Sequence, residues 1–249
     1  MVEQGEVDYL VAERTWQETV RALAESAPQR YFEVLGECGA LEVIFPEIAA
    51  LYGVPQPSRH HPEIDTGVHT MLALQQAARL SGDPRVRFAT LLHDLGKART
   101  SPTLWPCHHG HEARGAALVD ALCERLRAPA DFTDLARLVT QYHGLFRRVS
   151  SELGARAIVS TLEALDAFRR PQRFARFLLA CEADLRGRDG MAEARLPQRG
   201  DFQRLRDAAA AVSVDAIRAD GHAGAAIGEE LHRRRVSAVR ALLPGMRAS

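Results

Sequence analysis

Leu91-Leu92-His93-Asp94-Leu95-Gly96-Lys97 is the stretch on which the reading of this chain turns. An apolar run of Val86, Phe88, Ala89, Leu91, Leu92 and Leu95 carries an adjacent His-Asp pair to the end of a predicted helix, which Gly96 terminates. An imidazole nitrogen and a carboxylate oxygen side by side can bind one divalent metal ion. Three residues later stands Lys97, the only lysine among 32 basic residues. An ammonium is a compact point charge, whereas a guanidinium is a planar fork. A chain that otherwise uses arginine keeps lysine here, and the coincidence points to phosphate chemistry at a metal. Drift would also leave a single lysine.

Outward from that stretch almost everything reads as helix. Phe132, Leu135, Leu138, Val139, Tyr142 and Phe146 recur at helical spacing, as do Phe174, Phe177, Leu178 and Cys181. Period-2 alternation is scarce and no Gly-rich phosphate loop follows a strand, so the expected fold is all-α. Three regions are expected: a helical segment over 1–57, a histidine-rich domain over 58–190 and a helical tail over 191–249. The first closes on the turn-rich Gly53-Val54-Pro55-Gln56-Pro57-Ser58, and the tail carries the basic run Arg233-Arg234-Arg235.

Composition excludes several classes. Hydrophobic residues make up 46% and charged residues 26% of the 249, as in ordinary globular proteins. Acidic and basic residues balance at 32 each, so overall charge does not advertise a nucleic-acid binder, although local arginine clusters can still meet phosphates. Cys38, Cys107, Cys123 and Cys181 show no CxxC spacing, which fits a reduced, cytoplasmic compartment. The acidic start lacks the apolar stretch of a signal peptide, and no apolar run approaches the roughly 18–20 residues of a membrane span.

Eight of the ten histidines fall in the central region: His60, His61, His69, His93, His108, His109, His111 and His143. His69 lies on a predicted helix Thr66–Leu80, His111 opens His111–Leu126, His143 ends Phe132–His143, and Asp184 lies on Phe174–Leu185. Asp184 comes ten residues after Phe174, seven after Phe177 and three after Cys181, hence on the apolar stripe. A carboxylate facing a core is costly unless a cation or strong donors compensate it. Each residue alone has an ordinary explanation. His69 could be a hydrogen-bonded core histidine, Asp94 a turn cap, and Asp184 a partner for Arg186 or Arg188. His60 and His61 precede Pro62 and could be turn surface, and His108 and His109 read as solvated loop residues. His222 and His232 lie outside the cluster. The joint pattern H…HD…H…H…D around HDxGK is what accidents rarely give.

That pattern resembles the HD superfamily of metal-dependent phosphohydrolases, in which the first His, the HD doublet and a distant Asp hold a metal. The matching positions here are His69, His93, Asp94 and Asp184. His111, followed by Gly115 in an H-x3-G pattern, and His143 occupy the places of added ligands in two-metal members; one ion or two stays open. The resemblance implies an HD-domain helical bundle flanked by N- and C-terminal helical segments. It also implies a divalent ion (nickel, manganese or magnesium) that polarises a phosphoryl oxygen and acidifies a water. Asp94 and Lys97 would then be catalytic, with Lys97, Arg186 and Arg188 as phosphate contacts. Surface charge at a helix end accounts for the two arginines equally well.

Longer strings narrow the resemblance: His60 to Thr70, Leu104-Trp105-Pro106 with His108-His109-Gly110-His111, and Glu182-Ala183-Asp184-Leu185-Arg186-Gly187-Arg188. All three look like the HD-bearing C-terminal half of the bacterial CCA-adding enzymes, the tRNA nucleotidyltransferases. Residues 13–57 resemble the helical RNA-binding segment that follows their catalytic head. The head's Gly-rich nucleotide grip, its DxD carboxylates and its nucleotide-selecting helix motif do not occur among these residues, so nucleotide addition is not expected from this chain alone. The resemblance implies 2′,3′-cyclic phosphodiesterase, 2′-nucleotidase and phosphatase activity on tRNA 3′ ends or on 2′,3′-cyclic and 2′-phosphate nucleotides. The first 57 residues and the arginine-rich tail would hold the acceptor arm, and a homodimer is compatible. Two rivals remain: a noncatalytic tRNA-binding and dimerisation module with a structural metal, and a free-standing HD nucleotide phosphohydrolase. Against the latter, Asp184 leads into Leu-Arg-Gly-Arg and no GYP-type segment follows His143.

Overall fold

The computed structural model describes residues 11–149 and 151–247. Among them there is no β-strand, only a single antiparallel bridge between Pro55 and Asp65. The all-α expectation holds. The first ten residues of the expected N-terminal segment lie outside the described residues.

Four helices come first: α1 Ala12–Ala24, α2 Gln29–Glu37, and the short α3 Leu41–Ile44 and α4 Pro46–Ala49. After a loop come α5 Thr66–Leu80, α6 Pro84–Leu92, a 3-10 turn Leu95–Arg99, α7 His111–Leu126 and α8 Ala130–Arg148. The remainder is α9 Ala155–Ala164, α10 Pro171–Arg186, α11 Gln198–Ala210, α12 Val214–Ala219 and α13 Ala225–Arg247. The borders of α5 and α7 fall where the sequence puts them. Asp65 caps α5 by accepting from the Val68 N–H, and Asp83 does the same for α6 ahead of Pro84. Two borders differ from expectation. α8 runs on to Arg148, so His143 sits within the helix, because buried Phe146 extends the apolar stripe past it. α10 begins three residues earlier than expected, at Pro171, whose fixed φ suits a first helical position.

The described residues fall into two compact units, 11–143 with 176–195, and 144–175 with 196–247. In the first, Trp16 meets Phe88 and Phe132 edge-on at 5.2 and 4.9 Å, packing α1 against α6 and α8. The buried Arg87 guanidinium donates to the carbonyls of Leu23 (2.6 Å) and Glu25 (2.7 Å) at the end of α1, and of Ala78 (3.2 Å) and Ser81 (2.8 Å) at the end of α5. A cation there satisfies carbonyls that helix ends leave open.

The second unit packs α9, α11 and α13 around Ile158, Leu162, Leu205 and Val239, with Phe174 edge-on to Phe202 at 5.4 Å. Its basic run is engaged internally. Arg233 and Arg234 both bind Glu230 at 2.6 Å, Arg234 also reaches Asp220, and Arg235 pairs with Glu163 while stacking over Phe168 at 3.8 Å. All three arginines are thus ion-paired within their own unit.

Candidate metal centre

Two close helix approaches assemble the site. A Cβ on Gly96 would lie 1.9 Å from the His111 carbonyl oxygen, so only glycine lets the 95–99 turn seat against the start of α7. A Cβ on Gly187 would lie 2.5 Å from the Ala73 Cα, so the end of α10 crosses α5 just as tightly. The first approach sets Asp94 and Lys97 beside His111; the second sets Asp184 and Arg188 beside His69. The Thr140 hydroxyl donates to the Leu92 carbonyl at 3.2 Å and draws α8, with His143, onto the end of α6.

The ligand candidates converge. His69 Nε2 lies 3.1 Å and His93 Nε2 3.7 Å from Asp184 Oδ1. His93 Nε2 is also 3.0 Å from Asp94 Oδ2, while His111 Nε2 and His143 Nε2 stand 3.4 and 3.5 Å from Asp94 Oδ1. Lys97 Nζ donates to Asp94 Oδ2 at 2.7 Å and makes a short hydrogen bond to Gln56 Oε1. His69, His93, Asp94 and Asp184 are all at most 4% exposed. His69, His93 and Asp184 form one grouping with ligand spacing, and His93, Asp94 and His143 another.

The opposite edge of each imidazole decides what the cluster can hold. His93 Nδ1 faces the Thr90 carbonyl at 2.7 Å, His111 Nδ1 the His108 carbonyl at 3.1 Å, and His143 Nδ1 the carbonyls of Val139 and Thr140 at 3.1 and 3.2 Å. His69 differs: its Nδ1 lies 2.8 Å from Glu63 Oε1 without hydrogen-bond geometry, and its Nε2 is hydrogen-bonded to Asp184 Oδ1 at 3.1 Å. Carbonyls only accept, so Nδ1 of His93, His111 and His143 carries the proton and Nε2 of each of these neutral rings is left as a lone pair. Those lone pairs point at two carboxylates, which also have only lone pairs to offer. The Nε2 atoms of His93 and His111 and the Oδ1 of Asp94 are buried without a hydrogen-bond partner. Acceptor facing acceptor needs a cation between, and imidazole with carboxylate suits a divalent metal. The residues fit the ion.

The charges agree. Burial would raise both carboxyl groups, yet Lys97 beside Asp94, and the His69 hydrogen bond with Arg188 beside Asp184, bring them well below the ordinary carboxylate range. Burial pushes His143 down to about 4, which keeps its ring neutral and ready to ligate. Burial also works to lower His69, but the hydrogen bond to Asp184 and the nearby Glu63 carboxylate outweigh it and raise its pKa.

The remaining expected residues divide. Arg188 faces the site, with Nη2 3.9 Å from Asp184 Oδ1. Arg186 does not: its guanidinium donates to Glu182 at 2.8 Å and to the carbonyls of Ala192 and Ala194. His60 and His109 are exposed, whereas His108, read as a solvated loop residue, is 1% exposed and reaches the Pro55 carbonyl through Nε2 at 2.7 Å. His61 is also buried, with Nδ1 3.0 Å from Glu63 Oε1, and His232 pairs with Glu163 at 2.9 Å in the other unit. Sequence reasoning missed Glu63 and Gln56. Glu63 had one visible signal, a carboxylate two residues from His61 and six from His69; Gln56 had none.

Residues 66–169 match the HD domain, and residues 6–52 match the probable RNA and SrmB-binding site of polymerase A. The chain is 53% identical over 242 residues to a multifunctional CCA protein of Thioalkalivibrio sulfidiphilus, covering 97% of this chain and 59% of that relative. It is 52% identical over 240 residues to one from Nitrosococcus oceani (96% and 59%) and 48% identical over 242 residues to one from Teredinibacter turnerae (97% and 59%). The chain thus spans 59% of the length of these relatives. Among the described residues no helix is long and apolar enough to cross a membrane.

Proposed function

The chain carries an HD domain preceded by an RNA-binding segment, and from that premise we propose that it is a metal-dependent phosphohydrolase acting on RNA 3′ ends. Its substrates are 2′,3′-cyclic phosphates, 2′-phosphates and related monoesters at the tRNA terminus, in the cytoplasm. The observation that supports this best is the set of four imidazoles, three of them tied at Nδ1, whose Nε2 atoms converge on Asp94 and Asp184 beside the chain's one lysine. On this reading His69, His93, Asp94 and Asp184 hold a divalent ion, with His111 and His143 completing the set around Asp94.

A divalent ion held by these residues would supply Lewis acidity toward the phosphoryl group and a water. The protein's residues do the rest. Asp94 takes the Lys97 ammonium on one oxygen and keeps the other toward His111 and His143, which fixes its orientation. Lys97, with one N–H beyond its bonds to Asp94 and Gln56, binds a non-bridging oxygen and offsets the charge that builds there in the transition state. Arg188 adds a second cation on the Asp184 side.

Purified protein given nickel, manganese or magnesium should hydrolyse a 2′,3′-cyclic nucleotide, and His93→Ala or Asp94→Ala should remove that turnover. Bound metal with no turnover under any of the three ions would leave a structural metal in a tRNA-binding module instead. Preference for a cyclic dinucleotide would point to a free-standing nucleotide hydrolase.

A further inference from the structure

Gln56 follows closely on the segment that matches the RNA-binding family, and the loop around it is pinned. Its backbone N–H donates to the Ile64 carbonyl at 2.7 Å, the Val54 carbonyl accepts from both the N–H and the hydroxyl of Thr66, and the Pro55 carbonyl accepts from His108. The side chain is 2% exposed and its Oε1 accepts from Lys97 Nζ. That contact fixes the amide's orientation. An ammonium only donates, so the oxygen must face it, and the NH2 group must turn the other way. Gln56 Nε2 is buried and has no hydrogen-bond partner.

A buried NH2 group with no acceptor costs the protein free energy comparable to a lost hydrogen bond, and native structures seldom leave one without a reason. The amide stands next to a lysine that has an N–H to spare and already faces the metal cluster. Side by side, the ammonium and the amide offer donors and no free acceptor. The chemistry that satisfies such a pair is an anion with several acceptor oxygens.

We infer that Gln56 is a substrate-binding residue, its Nε2 donating to a non-bridging oxygen of the phosphoryl group that Lys97 attracts. The inference rests on the phosphohydrolase reading but concerns binding, so the two can fail separately. Gln56 and Lys97 then act as one phosphate-reading unit that ties the end of the RNA-binding segment to the reacting group.

The test uses the magnesium-loaded chain titrated with inorganic phosphate. The Gln56 side-chain amide is followed by nitrogen-15 NMR, its signals identified by their loss in Gln56→Glu. Its protons should move downfield, saturating at the Kd that calorimetry gives, and Gln56→Leu should weaken phosphate binding by about tenfold or more at unchanged magnesium content. If the variant does not fold, the wild-type titration still decides. Amide signals unmoved at saturating phosphate, wild-type affinity in Gln56→Leu, or no phosphate binding at all would each overturn the inference. Phosphate seated against Gln56 in a protein that hydrolyses nothing would instead overturn the phosphohydrolase reading alone.

Discussion

Glu63 shows how much of a site lies behind its ligands. Its carboxylate takes the His61 ring on one oxygen, stands 2.8 Å from His69 Nδ1, and accepts the Asp189 N–H on its other oxygen at 3.2 Å. A carboxylate behind a ligating histidine fixes the ring and raises its basicity, so Glu63→Gln should weaken metal affinity by about 10- to 100-fold. Competition with a chelating dye would measure it. Gly96→Ala strikes the same site through the backbone, because its methyl group would lie 1.9 Å from the His111 carbonyl oxygen. Loss of about 2–3 kcal/mol in denaturant unfolding and of bound metal together is the expected outcome. The six ligand candidates were legible because imidazole and carboxylate at those spacings are rare in combination. Gln56 was not, because a turn rich in proline gives no face to which a side chain can be assigned, and Glu63 showed only its spacing from His61 and His69. Nor could the sequence separate Arg186 from Arg188, since their directions depend on which carbonyls come near after α10 ends.

At the scale of helices, the joints matter more than propensity. Asp83 caps α6 and accepts from Arg85 at 2.8 Å and from Arg176 at 2.7 Å, linking α6 to α10. Burial would raise its pKa, but those hydrogen bonds outweigh it and bring the carboxyl down to about 2 from 3.8. The stabilisation is therefore complete above pH 3.8 and disappears as pH falls through about 2. Asp83→Asn keeps the cap acceptor and removes the charge. It should cost about 1–2 kcal/mol at neutral pH, a figure discounted for partial exposure, and the gap to wild type in urea unfolding should close across that acid window. Arg87→Met strands four carbonyls at the ends of α1 and α5 and should cost about 2–4 kcal/mol in the same measurement. The borders of α5 and α7 could be read because Asp65 and Gly110 stand just before them. The end of α8 could not: Gly144 looks like a stop, yet the burial of Phe146 carries the helix through it.

Across the whole molecule, 32 acidic residues offset 32 basic ones, and the most basic run in the sequence is already paired. Arg234→Ala should therefore lower the thermal midpoint while leaving tRNA affinity within about twofold, since the guanidinium is already committed to Glu230 and Asp220. A filter-binding titration beside a thermal scan would separate the two effects. The all-α class was legible because helical periodicity is local, as is the pairing of Arg233 and Arg234 with Glu230, but the reach of Arg234 to Asp220 and of Arg235 to Glu163 was not, because those partners lie far off in sequence. Lys97, 8% exposed, gives the chain one last property. A protease that cuts after lysine has a single peptide bond to attack, between Lys97 and Ala98. The two pieces would part His69, His93 and Asp94 from His111, His143 and Asp184. Under native conditions the appearance of those fragments is a clock for how often the centre breathes open, and a bound ion should slow it.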